Sequence, residues 1–228
     1  MNRVLEFASA RSERAAIKFC DRLANVTPRS WMRKIDARRR AHLVDPQFNA
    51  GLIEATGSAL PDSPDRKALI ERVCERWQGG AILDFGSGAG AIAKIIQART
   101  GAELWLVDAT QELLDHADVP NANIIHADDV EFCKMELPRF GLIYVRGVFC
   151  VMSEERVRAV LRHMVNLCDE IIICEPMGAA FTSHPSIYRR KIIHHTYGNI
   201  FRDLGWTVSD VLHTGAPLGL LTARPSQP

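Results

Sequence analysis

Four aspartates and a cluster of glycines are spaced so that together they could hold a nucleotide-like ligand. The run Ile82-Leu83-Asp84-Phe85-Gly86-Ser87-Gly88-Ala89-Gly90 sets an apolar strand directly before a glycine-rich turn and a helix-forming segment. Such a turn needs glycines where φ is positive or where a ligand comes close to the backbone, and it aims the helix N-terminal amides at that ligand. With Ala91 the run also satisfies G-x-G-x-x-G/A, so a nicotinamide dinucleotide site is one reading. Asp84 argues for another, because a carboxylate two residues before the first glycine repels a pyrophosphate and attracts a cationic amine. Asp108 closes the next apolar run, Leu104-Trp105-Leu106-Val107, where a carboxylate can accept from both hydroxyls of a ribose in either reading. Asp128 and Asp129 follow Ile124-Ile125-His126-Ala127 and can accept from the exocyclic amine of an adenine. The competing reading of each aspartate is a helix N-cap or a turn residue.

These carboxylates converge only if the strands before them end side by side. Short apolar runs at 81–85, 103–107, 123–126, 140–145 and 170–174 read as buried strands. Between them 89–100, 111–117 and 154–167 have helical spacing, the last opening on Ser153 as N-cap with Glu154 and Glu155 in its first turn. Repeated strand-helix-strand predicts a parallel sheet with helices on both faces. After Pro176 the spacing predicts a helix over 186–204, with Ile193, Tyr197, Ile200, Phe201 and Leu204 on one side. The runs 206–213 and 218–223 then read as an antiparallel pair joined by Thr214-Gly215-Ala216-Pro217. Residues 1–25 read as an amphipathic helix and Pro61-Asp62-Ser63-Pro64 as a joint. The chain therefore divides into a helical cap or lid, 1–62, and a core, 63–228.

The glycine run with Asp84, Asp108 at the next strand end, Ala127-Asp128 after the third strand and the terminal hairpin resemble the class I S-adenosylmethionine-dependent methyltransferases over about residues 70–228. The resemblance implies a Rossmann-like α/β fold: a seven-stranded, mostly parallel sheet with one antiparallel strand, helices on both faces and S-adenosyl-L-methionine across the carboxyl ends of the strands. It puts Gly86, Ser87 and Gly88 along the methionine moiety, Asp108 with the adjoining Ala109 at the ribose, Asp128 and Asp129 toward adenine, and Arg146 and Gly147 beside the transferring methyl group.

On the acceptor the motifs say less. Val145-Arg146-Gly147-Val148-Phe149-Cys150 lacks the (Asn/Asp)-Pro-Pro-(Tyr/Phe) that related enzymes carry there for adenine or glutamine amide nitrogens, which favours a small molecule. Oxygen is favoured over nitrogen, and an oxygen acceptor needs a base. The resemblance places the segment with His184, Tyr188, His194, His195 and Tyr197 over the acceptor mouth. On the predicted helix His194 shares a stripe with Arg190, Tyr197 and Phe201, while His195 points about 100° away. His194 is thus the first candidate base, His195 and His184 the others, each set against the reading of a packed or solvated histidine. Tyr188 and Tyr197 are candidate acceptor contacts. Glu175 either orients a substrate amine or is a strand-end carboxylate bonded to nearby amides.

Composition sets the outer limits. At 228 residues, 47% hydrophobic and 24% charged, the chain has the make-up of a globular protein with a real core. Its net charge of +1 hides an asymmetry, since residues 1–40 carry +7 and the remainder −6. Arg29, Arg33, Lys34 and Arg38-Arg39-Arg40 read either as a solvated helix face or as a lid that attracts an anionic or carrier-bound acceptor; an RNA methyltransferase using this region is the alternative function. A nicotinamide dehydrogenase and a cofactor-binding regulator without catalysis are the other competing classes. The six cysteines show no zinc-ligand spacing, so no metal is expected, and several lie in apolar runs as reduced thiols would. No run is long and apolar enough for a signal or a membrane span, so the expected location is the cytoplasm.

Overall fold

The computed structural model describes residues 63–176, 186–187, 193–213 and 218–226. The expected cap over 1–62, with its basic cluster, lies outside these residues, as do His184, Tyr188 and the hairpin turn 214–217.

Chain order in the described residues is α1 (Pro64–Arg76), β1 (Ile82–Phe85), α2 (Ala91–Thr100), β2 (Leu104–Asp108), α3 (Gln111–Leu114), β3 (Asn123–His126), α4 (Asp129–Phe132), β4 (Leu142–Arg146), a 3-10 turn (Phe149–Val151), α5 (Glu154–Met164), β5 (Ile171–Pro176), β6 (Ser186–Ile187), β7 (Ile193–His194), α6 (Tyr197–Asp203), β8 (Trp206–His213) and β9 (Leu218–Pro225). One sheet of seven strands runs β3-β2-β1-β4-β5-β9-β8, parallel from β3 to β5, with β9 antiparallel to both β5 and β8. This is the predicted α/β architecture with its terminal antiparallel pair.

Alternation along the strands builds two cores, because successive side chains point to opposite faces of a sheet. Leu83, Phe85, Ile143, Val145, Ile171 and Ile173 join the apolar stripe of α5 (Val157, Val160, Leu161, Met164) on one face. Ile82, Leu104, Leu106, Leu142, Tyr144, Ile172 and Cys174 meet Leu69, Ile70 and Val73 of α1 and Ala93 and Ile96 of α2 on the other. Cys174 is fully buried there, as a small apolar residue would be. β5 runs two residues beyond its expected end because Glu175 and Pro176 pair with Gly219 and Leu218 of β9.

The helix expected over 186–204 is corrected. Ser186 pairs with His194 and Ile187 with Ile193 as a short antiparallel ladder, and helix starts only at Tyr197. The helical spacing is real for Tyr197, Ile200 and Phe201, all buried, but it does not extend backward. Ile193 and Thr196 are β-branched and stiff at χ1, which disfavours helix before that point. The stripe that joined His194 to Tyr197 and Phe201 therefore does not exist. Smaller corrections concern ends: α3 stops at Leu114 and α5 at Met164, and Ser153 occupies the N-cap position of α5 without a side-chain cap bond.

Glu170, just before β5, ties three elements together. It is 7% exposed and accepts from Arg76 Nε at 2.6 Å and Nη2 at 3.3 Å in α1, and from Arg224 Nε at 3.0 Å in β9. Both arginines are partly exposed, which discounts the pairing, so Glu170→Ala should cost about 1–3 kcal/mol of stability. Urea denaturation checks this; a midpoint equal to that of the parent protein would mean the network adds nothing.

Candidate functional site

A cleft of about 510 Å3 opens beyond the carboxyl ends of β1, β2 and β4, where the strand order reverses from β1 toward β4. Its floor is the loop after β1. The amides of Gly86 and Ser87 both donate to Val107 O, at 2.7 and 3.1 Å, which holds the loop against the end of β2. Gly86, Gly88 and Gly90 all have positive φ, of 79°, 56° and 71°. Their reasons differ. A Cβ at Gly86 would lie 2.0 Å from Val148 Cγ2, and one at Gly90 2.8 Å from Val119 Cγ2, so both glycines serve close packing. A Cβ at Gly88 would meet no atom within 4 Å, and Gly88 lines the cleft: its missing side chain leaves room for a ligand.

Asp84, Gly86, Ser87, Gly88, Asp108, Ala109, Asp128, Asp129 and Arg146 all line this one cleft. Asp84 is 3% exposed, and Tyr144, its register partner on β4, donates its hydroxyl to Asp84 Oδ2 at 2.6 Å. Burial is the main reason that its pKa rises from 3.8 to about 7; the Tyr144 hydrogen bond and the charge of Arg146 oppose that rise, and the charge of Asp108 adds to it. Asp108 accepts from the Gly88 amide at 2.8 Å through Oδ2 and from the Thr110 amide at 2.9 Å through Oδ1, so it shapes the glycine loop that it faces. Burial raises its pKa too, against those amides. Each of its oxygens accepts one backbone hydrogen bond, and a carboxylate oxygen can take two. Asp128 is the N-cap of α4: Oδ1 accepts from the amides of Val130 and Glu131 at 2.8 and 2.9 Å, and the Asp128 amide donates to the Glu131 carboxylate at 3.0 Å. Here the capping role holds while the residue also lines the cleft. Asp129 makes a two-pronged ion pair with Arg156 of α5.

The opposite wall consists of Arg146, Gly147, Val148, Val151 and Met152. Arg146 donates from Nη2 to the buried Asp65 of α1 at 2.8 Å. Glu175 does not line the cleft. It is 1% exposed and accepts three consecutive amides, Val148 and Phe149 at Oε1 (2.7 and 2.9 Å) and Cys150 at Oε2 (3.1 Å), so it is the strand-end carboxylate of the alternative reading. Tyr197 is buried against Phe149 and His195 and likewise stays off the cleft. His195 is buried with Nε2 2.8 Å from the Phe149 carbonyl oxygen. His194 is placed by its backbone in β7, and its side chain lies outside the described residues together with His184 and Tyr188. Among the described residues, no histidine lines the cleft.

Sequence reasoning missed Tyr144, Asp65, Arg156 and the Val148–Gly86 contact. Tyr144 sits in an apolar strand and Asp65 in the first turn of a helix, positions that a carboxylate partner or a capping charge occupies in many folds, so no local signal marks them.

Comparison with known proteins agrees with this geometry. Residues 82–170 match a family model described as a methyltransferase domain, a span running from β1 to the start of β5. No curated protein matches by sequence. Among solved structures, the chain is similar to magnesium protoporphyrin IX methyltransferase from Synechocystis PCC 6803 with bound S-adenosylmethionine (13% identity, TM-score 0.62, covering 84% of this chain and 97% of that one). It is also similar to 1,6-didemethyltoxoflavin-N1-methyltransferase from Burkholderia thailandensis (12%, 0.59, 83% and 90%) and to a putative RNA methyltransferase from Pyrococcus horikoshii (12%, 0.55, 71% and 84%). At these identities the likeness is one of fold. The fold is that of the solved S-adenosylmethionine-dependent methyltransferases, and the residues of the cleft fit their cofactor: an open glycine cradle at Gly88, the buried carboxylate of Asp84 and Asp108 beside the loop.

Two predictions follow from this geometry. Gly88→Val should abolish binding of S-adenosylhomocysteine in calorimetric titration while costing the ligand-free protein only about 1–2 kcal/mol for a side chain at positive φ. Gly86→Ala should instead lower stability itself, since its Cβ meets Val148. The other concerns pH. The ionised Asp84 is the form that attracts an ammonium group, so affinity for S-adenosylhomocysteine should be greatest just above pH 7, while the ligand amine is still protonated, and fall below pH 7, approaching tenfold per unit. In the ligand-free protein the sign reverses. The folded chain holds the Asp84 proton up to about pH 7 and the unfolded chain only to about 3.8, so this group's contribution to stability is lost as pH rises through that window. Asp84→Asn should then stabilise the free protein above pH 7, read by thermal denaturation, while weakening binding; a variant with normal affinity would remove Asp84 from the site.

Proposed function

We propose that this chain is a class I S-adenosylmethionine-dependent methyltransferase that serves a small-molecule acceptor, with transfer to oxygen favoured over nitrogen. The observation that carries the reading is the pairing of Asp84 and Asp108 around Gly88: one buried carboxylate for a cationic amine, one at the adjacent strand end for a ribose, and space between. A dinucleotide pyrophosphate would meet both negative charges. When bound, the cofactor supplies an electrophilic methyl group on a sulfonium.

The chain's own residues do the rest. Asp84 binds the ammonium, Asp108 accepts the ribose hydroxyls and Asp128 and Asp129 border the adenine. Val148, Val151 and Met152 give the opposite wall an apolar surface that excludes water, and transfer depends on holding a nucleophile in line and dry. Arg146, ion-paired with Asp65, stands at the end of β4 and can offer its remaining N–H groups to an acceptor oxygen. The small-molecule reading is supported by this apolar wall and by the turn Arg146-Gly147-Val148-Phe149, which replaces the proline-rich motif of amide and adenine-nitrogen enzymes. Two of the fold neighbours are named for small-molecule acceptors. The base for an oxygen acceptor is assigned to the 184–195 segment, at His194 or His184, because His195 is buried and lies off the cleft.

Four measurements test this. Mass spectrometry of ligand released from the purified protein should find S-adenosylhomocysteine or S-adenosylmethionine; NAD would sink the reading. Methyl-labelled S-adenosylmethionine should label a small-metabolite extract and leave total RNA unlabelled; the opposite pattern would select the RNA alternative. Asp108→Ala should weaken S-adenosylhomocysteine binding by about 2–4 kcal/mol, and His194→Ala should lower kcat by about 10² to 10⁴ at unchanged cofactor affinity. Near-normal rates in both His194→Ala and His184→Ala would remove histidine catalysis from the mechanism.

A further inference from the structure

The turn that forms the acceptor wall is held from two directions by residues that do not reach the cleft. Phe149–Val151 is a single 3-10 turn, a conformation with strained hydrogen-bond geometry and unpaired amides at its start. Glu175, at the end of β5, accepts three of those amides in succession, from Val148 to Cys150. His195, two residues before α6, faces the turn's one carbonyl of interest: its Nε2 donates to Phe149 O at 2.8 Å, and its ring stands edge-on to Tyr197, which packs on Phe149. On the near side, Val148 fills the space that a Cβ at Gly86 would take. One turn thus touches the glycine loop through Val148, faces the acceptor through Val148 and Val151, and is bonded on its far side to Glu175 and His195.

We propose that Glu175 and His195 are positioning residues for the acceptor: by bonding the amides and the carbonyl of the Val148–Val151 turn, they fix the wall against which the acceptor is aligned, without taking part in proton transfer or cofactor binding. The inference rests on the reading of this cleft as the site of methyl transfer. Its physical basis is that a group must approach the methyl in line, and a shift of about 1 Å in its supporting wall costs on the order of 100-fold in rate. Removing the Glu175 carboxylate leaves three consecutive amides without their acceptor, and removing the His195 donor leaves the Phe149 carbonyl with the Met152 amide alone. Burial raises the pKa of Glu175, while the amides favour its charged form. The geometry also separates His195 from the role of general base, since its ring is buried and outside the cleft.

The test uses the full-length protein with Glu175→Gln, His195→Phe and His195→Gln, the last retaining an N–H donor near the position of Nε2. Three readouts are taken: calorimetric affinity for S-adenosylhomocysteine, transfer from methyl-labelled S-adenosylmethionine into a dilution series of small-metabolite extract, and amide hydrogen exchange over 147–152 with S-adenosylhomocysteine bound. Glu175→Gln and His195→Phe should raise the half-saturating extract concentration or lower the limiting rate by about 10- to 100-fold. Their cofactor dissociation constants should stay within about twofold of the parent and their exchange at Val148, Phe149 and Cys150 should rise. His195→Gln should keep transfer within a few-fold of the parent. If His195→Gln is as inactive as His195→Phe, the side chain moves a proton and the positioning role fails. It fails equally if cofactor affinity drops in step with transfer, or if exchange across the turn is unchanged. Should Glu175→Gln not fold, the two His195 variants decide. A parent protein that binds S-adenosylhomocysteine but labels no small metabolite defeats the acceptor reading of the previous subsection, and the exchange data then judge the grip on the turn alone.

Discussion

A carboxylate buried in the middle of a parallel sheet is the constraint around which this structure is arranged. Asp84 lies in a strand whose four residues are all buried, between neighbours Leu106 and Tyr144, with one short hydrogen bond from the Tyr144 hydroxyl. Such a group costs folding energy unless it is paired, and with one neutral donor it stays poised close to neutral pH in the free protein. A cationic ligand group relieves that cost on binding, so part of the cofactor's affinity is stored in the ligand-free fold as unfavourable burial. The strand order enforces the arrangement. β1 is central, its carboxyl end opens where the order reverses, and both cores close over its flanks, so Asp84 has no exit except toward the cleft.

The other carboxylates at strand ends share a second economy. Asp108, Asp128 and Glu175 each accept two or three backbone amides from a following loop or turn. Amides of this kind are orphaned wherever a strand turns sharply into a helix, and a carboxylate is the cheapest way to satisfy several at once. Two of these residues, Asp108 and Asp128, thereby also present negative charge to the cleft rim, so organising a loop and lining the cleft are not exclusive for them. For Glu175 they are: it faces the turn from behind, and no part of it lines the cleft.

How much of this was legible in the sequence follows from how local each signal is. The strands from β1 to β5 and the glycine turn were readable because their periodicity and φ demands are written within a few residues, and all of the residues from Asp84 to Arg146 assigned to the cofactor end converge on one cleft. The segment after Pro176 was misread because Tyr197, Ile200 and Phe201 supply a true helical stripe, and nothing in hydrophobic spacing says where such a stripe begins; the β-branched residues before it disfavour helix there. Glu175 presented two readings that differ only in what stands opposite the carboxylate, a long-range fact that fold topology supplies. Tyr144 and Asp65 were silent for the same reason: their partners are 60 and 81 residues away in the chain.

The charges of the cleft bear on how selectivity is divided. Both lining arginines are already committed, Arg146 to Asp65 and Arg156 to Asp129, while Asp84 and Asp108 have no cationic side chain bonded to them among the described residues. The field inside is therefore negative around the glycine loop and nearly balanced at the opposite wall. A sulfonium cofactor with an ammonium group gains from the first region whatever acceptor accompanies it. The second offers an acceptor little net charge to recognise and much shape, through Val148, Val151 and Met152. Shape of this kind is only as well defined as the turn that carries it, and a three-residue turn has too few bonds of its own to be rigid. Rigidity must come from outside the turn, and among the described residues it comes from Gly86, Glu175 and His195, none of which needs to touch the acceptor to determine where it can sit.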